Sequence, residues 1–198
     1  TLPVHPPLEG HHRCDAVVLG AGMAGILTAW FLRQHGLSVI VLEANRVGSG
    51  QTQNTTAKIT AQHGLCYAKL MDHFGAQDAL RYARAARQAV TDFRDIIAQE
   101  HIDCHLETLP SYLYSRYDPT TLKKERDAAC DLGFGAEFVK ETCLPFPVEG
   151  AVVFPDQAQF HPLEFLRGVS EPLVIYEHSK VTDVSDHQVT TAHGTVTA

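Results

Sequence analysis

The sequence predicts an α/β fold in which helices pack on a mostly parallel sheet. Residues 16–43 pass from an apolar strand pattern through a glycine-rich turn and an amphipathic helix pattern to a second apolar strand. Residues 76–100 carry apolar side chains at three- and four-residue steps, which is typical of a long helix. From residue 102 the pattern changes to short strands with one helix between them. The strand, helix and strand of residues 16–43 are the main signal for the α/β class.

The glycine-rich turn follows the first strand directly. The strand pattern covers residues 16–19, the turn reads GAGMAG over residues 20–25, and the helix pattern ends at Gly36. The second strand pattern covers residues 39–42 and is followed by Glu43. A glycine-rich turn alone is a weak signal. A strand before it, a helix after it and an acid about twenty residues further on complete the dinucleotide-binding fingerprint.

Each glycine of the turn has a separate expected role. Gly20 permits the tight turn, Gly22 lets a pyrophosphate approach the backbone, and Gly25 lets the helix lie close to the sheet. The amides and positive end of the helix then face the phosphates. Glu43 is expected to accept hydrogen bonds from a ribose diol, and its charge disfavours a 2′-phosphate.

The loop after Glu43 carries a family resemblance. It reads RVGSGQTQNTTAK over residues 46–58, where a nicotinamide-binding domain normally continues into its next helix. This loop resembles that of the D-amino-acid oxidase and glycine oxidase family, in which it continues along the FAD pyrophosphate toward the flavin. Two segments also resemble those of a bacterial subgroup whose longer members carry a C-terminal Rieske domain. They read GSGQTQNTTAKITAQHG and QAQFHP. Because such proteins are at least about twice as long, the chain is expected to be an N-terminal half.

The resemblance implies a glutathione-reductase-type, Rossmann-like FAD-binding sheet with an inserted α+β substrate domain, apparently truncated. The implied FAD-binding domain comprises residues 14–101 and 159–198, after an extended leader at residues 1–13. Residues 102–158 are expected to form part of the substrate domain. An open sheet that lacks its remaining strands is expected to leave exposed edges, near the C-terminus in particular.

The resemblance also implies which residues contact FAD. Val181 is expected in a strand that returns to the nucleotide sheet, with a backbone group on adenine. Lys58 is expected beside the flavin, where its charge stabilises the reduced anion, although a surface lysine fits the sequence equally well. The implied cofactor-binding residues are Gly20, Ala21, Gly22, Met23, Ala24, Gly25, Glu43, Ala44, Arg46, Gly50, Gln51, Thr52, Thr55, Thr56, Ala57 and Val181.

The remaining elements follow from local patterns. Helices are predicted over residues 63–74, ending at Gly75, over 76–100, over 119–132, ending at Gly133, and from Pro162. Strands are predicted at residues 104–109, 112–115, 136–139, 151–154, 174–177, 180–184 and 189–191. We interpret His161 as a helix-start or core residue rather than a catalytic base. Four aromatic residues fit either a substrate pocket or cross-strand packing, and we prefer cross-strand packing. They are Tyr112, Tyr114, Tyr117 and Phe154.

Composition narrows the classes of function. A formal net charge of −7 argues against a nucleic-acid partner. No run has the length of a membrane span. The five cysteines are scattered, odd in number and without CxxC spacing, so we expect reduced thiols in a cytoplasmic protein and no metal site. None belongs to a CxH or CxxH pair of the kind a Rieske cluster uses.

The expected reaction is oxidation of an amine or amino acid by hydride transfer to flavin. A redox partner or a Rieske domain outside this chain is a possible electron acceptor. Two alternatives stay open at this point. One is an NAD-dependent dehydrogenase, which also uses a glycine turn and a ribose acid. The other is a non-catalytic FAD-binding or electron-transfer module.

Overall fold

A computed structural model describes residues 2–198, and the contacts within the chain divide it into two units. Unit 1 comprises residues 2–56, Ile97–Cys104 and His161–Ala198. Unit 2 comprises Ala57–Ile96 and His105–Phe160.

The elements follow one another in a mixed order of strands and helices. The strands are β1 (Gly10–Arg13), β2 (Ala16–Leu19), β3 (Val39–Leu42), β4 (Lys58–Ile59), β5 (Glu107–Ser115), β6 (Glu137–Val139), β7 (Gly150–Gln159), β8 (Val174–Tyr176), β9 (Val181–Ser185), β10 (Gln188–Thr191) and β11 (Gly194–Thr197). The helices are α1 (Met23–Gln34), α2 (Tyr67–Gln99), α3 (Thr120–Asp131) and α4 (Pro162–Ser170), with a 3₁₀ turn at Gln51–Asn54.

The parallel sheet of unit 1 has the strand order β2-β3-β8. Ala16 pairs with Val39, and Ile40 pairs with Val174. All four side chains of the central strand β3 are buried, as expected for a parallel strand between two neighbours. The predicted order of strand, glycine turn, helix, strand and acid is therefore confirmed.

The strand β2 is an edge of this sheet. Within residues 2–198 it pairs with β3 alone. Its last residue, Leu19, is 50% exposed, although parallel sheets are usually covered on both faces. The C-terminal strand β11, in contrast, pairs with both β1 and β10. Within residues 2–198 this sheet is therefore open at β2 and at its other outer strand β8, whereas the last strand of the chain is paired on both sides.

A second sheet of unit 1 has the order β1-β11-β10-β9. Sequence patterns predicted neither β1 nor β11, which pair in parallel from Gly10 with Gly194 onward. The leader is extended, but it is not separate from the domain. Leu8 is 1% exposed and packs in a core cluster with Ile40 and Val196.

The expected sheet placement of Val181 is wrong. The strand that joins β3 is β8, whereas Val181 opens β9 in the second sheet. Val181 is half-buried against the core cluster around Leu8. Short strands with similar patterns follow one another here, so the sequence does not reveal which one rejoins the parallel sheet.

Unit 2 is built around the long strand β7, which pairs with β4, β5 and β6. Its core cluster includes the fully buried Tyr67 and Phe154. The helix α2 contains a kink at Gly75, where φ is 78°. The predicted break between two helices at this glycine is confirmed. The predicted stop of α3 is confirmed as well, because Gly133 follows it with φ of 85°.

Two predicted strands around Pro110 form the single strand β5. Its pairing with β7 shifts between Leu109 and Ser111, so Pro110 falls at an irregularity. Proline is tolerated at such a position and on an edge strand, because no ladder hydrogen bond from its nitrogen is required. The predicted split of this strand is therefore wrong.

A buried carboxylate holds the start of α2. Glu125 of α3 is completely buried, and its oxygens accept hydrogen bonds from the amides of Cys66, Tyr67 and Ala68 at 2.8–2.9 Å. These amides have no acceptor in the preceding turn of helix, so a carboxylate satisfies them and favours the positive helix end.

The boundaries between the units differ from those expected. Residues 57–96, which include most of α2, belong to unit 2 and not to unit 1. The reason lies in packing: Ala79 and Ala83 of α2 share the core cluster with Leu122 and Phe154. An amphipathic pattern shows that a helix has a buried face, but it does not identify the element against which that face packs.

Candidate functional site

The turn between β2 and α1 brings the helix into direct contact with the end of the strand. Gly20 has φ of 99°, a conformation that favours glycine, and its amide donates to the carbonyl of Leu42 at 2.8 Å. A Cβ atom on Gly25 would lie 1.9 Å from the carbonyl oxygen of Gly20. No side chain fits in that space. A Cβ atom on Gly22 would approach only the hydroxyl of Thr52, at 3.5 Å.

The N-terminus of α1 presents free backbone donors. The amide of Met23 donates to Oγ1 of Thr52 at 3.0 Å. The amides of Gly22, Ala24 and Gly25 have no acceptor among residues 2–198. The first turn of the helix carries no acidic side chain. Free donors at a positive helix end form a site suited to an anionic group.

Backbone amides fix the carboxylate of Glu43 beside this turn. Its Oε2 accepts from the amide of Ala21 at 2.7 Å, and its Oε1 accepts from the amide of Asn45 at 2.8 Å. The main chain of Glu43 is held by Tyr176 and Ser179. Each carboxylate oxygen can accept a second hydrogen bond, so the half-buried group can also receive hydroxyl donors.

The side chain of Arg46 is engaged by a buried acid that the sequence did not single out. Nε of Arg46 lies 2.9 Å from Oε2 of Glu177, whose side chain is completely buried. Glu177 also accepts from the amides of Val47 at 2.8 Å and His5 at 3.1 Å. Burial alone would raise the pKa of Glu177, but these amide bonds and Arg46 bring it below its ordinary value.

Hydrogen bonds fold the loop after Glu43 back on the glycine turn. The amide of Gly48, whose φ is 68°, donates to the carbonyl of Ala21 at 3.0 Å. The 3₁₀ turn follows and buries Thr52. The other residues named for this loop in unit 1 are exposed: Ala44, Gly50, Gln51, Thr55 and Thr56.

Two expected site residues belong to unit 2. Ala57 has φ of 59°, an unusual conformation for a residue with a side chain, and Lys58 opens β4 with an exposed side chain. Strained backbone at such a position is often part of a functional site.

The aromatic residues of unit 2 fall into two groups. Phe154 is fully buried in the core, so it serves packing. Tyr112 and Tyr114 are each 43% exposed, and the ring of Tyr114 lies 5.7 Å from that of Phe146. Tyr117 is almost fully exposed.

His161 caps the helix α4. Its Nδ1 accepts from the amide of Glu164 at 3.3 Å, and Pro162 occupies the first turn. The interpretation of His161 as a helix-start residue is therefore confirmed.

Two further properties concern the described part of the chain as a whole. No group of three or more His, Cys, Asp or Glu side chains within residues 2–198 is arranged to hold a metal ion. In the same residues, every helix is too short or too polar to cross a membrane.

Comparison with known proteins gives a consistent family. A family described as FAD dependent oxidoreductase matches residues 15–198. YhfW of Bacillus subtilis is 35% identical over 92% of this chain and 37% of its own length. The name of that protein describes it as a Rieske 2Fe-2S iron–sulfur protein. Gamma-glutamylputrescine oxidoreductase of Escherichia coli is 24% identical over 93% of this chain and 47% of its own length.

Two solved structures share the fold. Glycine oxidase from Geobacillus kaustophilus has a TM-score of 0.73 at 20% identity, over 94% of this chain and 54% of that one. L-proline dehydrogenase from P. horikoshii also has a TM-score of 0.73, at 18% identity, over 97% of this chain and 51% of that one. The chain thus spans between about a third and a half of the lengths of these relatives.

The contact at Gly25 generates a stability prediction. Gly25→Ala places a Cβ atom against the carbonyl of Gly20, so α1 must move away from β2. We expect a loss of about 1–3 kcal/mol in the free energy of unfolding, as for overpacking elsewhere. Denaturant unfolding followed by circular dichroism measures it. Gly22→Ala is the matched control and should unfold nearly as the parent does; equal stability of both variants would contradict the contact.

Proposed function

Because the chain belongs to the family of FAD dependent oxidoreductases and its cofactor is FAD, we propose that the full-length protein oxidises the C–N bond of an amine or amino acid. The observation that carries the proposal is the open N-terminus of α1 beside a carboxylate fixed by backbone amides. Family membership overturns the NAD-dependent alternative.

The pyrophosphate of FAD is assigned to the glycine turn from Gly20 to Gly25. Free amides at Gly22, Ala24 and Gly25 supply donors, and no acidic side chain in the first turn opposes the phosphate charge. The open space above Gly22 supports the assignment, because a Cβ atom there meets no protein atom closer than 3.5 Å.

The ribose is assigned to Glu43, and the loop to the path toward the flavin. Glu43 keeps lone pairs free for a ribose diol while the amides of Ala21 and Asn45 hold it in place. Arg46 is assigned through its backbone or its remaining guanidinium nitrogens, because its Nε is engaged by Glu177. The other residues assigned to FAD are Ala21, Met23, Ala44, Gly50, Gln51, Thr52, Thr55, Thr56, Ala57 and, for adenine, Val181.

Lys58 is the one residue to which we assign a role in the chemistry of the cofactor. A bound FAD would supply the acceptor for a hydride from the carbon that bears the amine nitrogen, and the resulting imine would be hydrolysed by water. A lysine beside the ring stabilises the negative charge of the reduced state. The exposed ammonium of Lys58 and the left-handed backbone of Ala57 before it support this role.

The substrate class follows from the names of the relatives. One acts on gamma-glutamylputrescine, and others are a glycine oxidase, an L-proline dehydrogenase and an L-amino acid deaminase. All of these substrates carry an amine nitrogen. The shared chemistry is the oxidation of a carbon bonded to nitrogen.

The electron acceptor is a second question, and one relative favours a particular answer. The similarity to YhfW covers 92% of this chain. We assign the re-oxidation of the flavin to a Rieske centre in the longer polypeptide, with molecular oxygen as the alternative.

Removing the carboxylate of Glu43 tests the cofactor assignment. Glu43→Ala should weaken FAD binding to the full-length protein by about 1–3 kcal/mol, since ribose hydroxyls and the Ala21 amide lose their acceptor. Isothermal titration of the apoprotein with FAD measures the change. Glu9→Ala, which removes an exposed acid from the same unit, is the control. Unchanged affinity in Glu43→Ala would mean that the ribose binds elsewhere.

Gly22→Val tests the position of the phosphates in the same FAD-binding assay.

Anaerobic reduction of the flavin tests the proposed reaction. The full-length protein is mixed with glycine, L-proline, L-phenylalanine or gamma-glutamylputrescine, and the flavin absorbance is followed. We expect bleaching by at least one amine, and little or none by residues 1–198 alone. Bleaching by no amine would favour a non-catalytic FAD-binding or electron-transfer module.

Full reduction by residues 1–198 alone would overturn the incomplete-site part of this proposal. The acceptor is tested by admitting oxygen to the reduced protein. The Rieske acceptor is supported if oxygen re-oxidises the flavin slowly while the absorbance of a 2Fe-2S cluster shows that the cluster becomes reduced. Fast re-oxidation of the flavin by oxygen, without reduction of a cluster, contradicts it.

A further inference from the structure

A cleft of unit 2 lies between α2, the turn at residues 133–135 and the second half of β7. Its volume is about 270 Å³, and every residue that lines it belongs to unit 2. Such a space has room for roughly nine water molecules at about 30 Å³ each, or for one small organic molecule. The cleft is therefore large enough to be a ligand site within a single unit.

A bulge in β7 forms one wall of the cleft. Pro155 and Asp156 lie between the paired residues Phe154 and Gln157, opposite the single residue Pro110 of β5. Asp156 has φ of 56°, a conformation that is unusual for a residue with a side chain. A bulge bends its strand and redirects the groups at that point. The carbonyl of Asp156 is thereby available to a side chain of α2.

Two arginines of α2 line the cleft. Arg87 and Arg94 are seven residues apart, which is about two helical turns, so they lie on the same face of α2. Nη2 of Arg87 donates to the carbonyl of Gly133 at 2.9 Å, and Nη2 of Arg94 donates to the carbonyl of Asp156 at 2.7 Å. Each guanidinium is thus fixed to a different wall of the cleft.

The positive charge of this cleft is not balanced within the described part of the chain. No carboxylate of residues 2–198 forms an ion pair with Arg87 or Arg94. Nε of Arg94 is buried and donates to no acceptor among the same residues. Two guanidinium groups and one carboxylate, that of Asp156, line the cleft in a chain whose formal net charge is −7. The cleft therefore favours an anionic ligand.

The other walls favour an anion with an apolar portion. Cζ of Arg87 lies 4.7 Å from the centre of the Phe134 ring, and this stacking fixes the plane of the guanidinium. Val90, Phe134 and Pro155 supply apolar surface. A planar guanidinium matches the geometry of a carboxylate, since two parallel N–H donors can bind its two oxygens.

We propose that this cleft binds a small organic carboxylate with an apolar portion. The carboxylate accepts from guanidinium nitrogens of Arg87 and Arg94 that do not bind backbone carbonyls, and the apolar portion packs on Phe134 and Pro155. A guanidinium has five N–H donors, so donors remain after one nitrogen has bound a carbonyl. None of the residues assigned to FAD lines the cleft. The inference thus goes beyond the proposed function.

Chemical modification of arginine tests the site in the folded parent. The full-length protein is treated with phenylglyoxal in the presence or absence of phenylacetate, and mass spectrometry identifies the modified arginines. Phenylacetate should slow the modification of Arg87 severalfold and leave Arg84, an exposed arginine of the same helix, unaffected. Phenylacetamide, which has a similar shape without the charge, should protect neither residue.

Two outcomes of this experiment would overturn the inference. Equal modification of Arg87 with and without phenylacetate would mean that no carboxylate binds in the cleft. Equal protection by inorganic phosphate would mean that the site accepts any small anion, and the assignment to an organic carboxylate would be wrong.

Isothermal titration of the full-length protein with phenylacetate measures the contribution of each arginine. Arg87→Gln and Arg94→Gln should each weaken binding about tenfold or more, because hydrogen bonds between charged groups are lost. Arg84→Gln removes the same charge from the same helix and should bind as the parent does. Circular dichroism reports the folding of each variant.

Equal affinity in the parent and all three variants would mean that phenylacetate binds elsewhere, and would overturn the inference. No amine is added in these measurements. Their outcome is therefore independent of the proposed reaction, and either proposal can fail without the other.

Discussion

The hydrogen bond between Glu43 and the amide of Ala21 joins the ends of two neighbouring parallel strands. Much of the candidate nucleotide site depends on this contact. It fixes the first residues of the glycine turn, from which α1 starts, and the carbonyl of Ala21 holds the following loop through the amide of Gly48. Removing the acid would loosen the turn, the helix start and the loop together.

Both units use a buried carboxylate to organise backbone amides. Glu177 binds the leader and the loop of unit 1 through His5 and Val47, and Glu125 binds the start of α2 in unit 2. Burying a carboxylate is costly unless hydrogen bonds or an opposite charge replace water. Several donors bind each of these acids. Each acid therefore stabilises backbone amides that have no partner in a regular helix or strand.

The parts of the fold predicted from sequence are those with local signals. Glycine spacing and apolar periodicity located β2, α1 and β3, and Gly75 and Gly133 marked helix ends correctly. Pairing between distant segments left no such signal, so β1 and β11 were missed. The buried acids were missed for the same reason, because burial of one acid among 23 depends on tertiary packing. The cofactor contacts remain predictions.

The division of the chain has a consequence for the order of folding. Unit 2 can be completed once residue 160 has been synthesised, whereas β1 of unit 1 must wait for β11, more than 180 residues later. Pairing over so long a separation carries a large loop-closure entropy unless the intervening chain is already compact. We therefore expect unit 2 to fold first and to shorten the effective loop for unit 1. Pulsed hydrogen exchange during refolding would show protection at β7 before β11, and simultaneous protection would contradict that order.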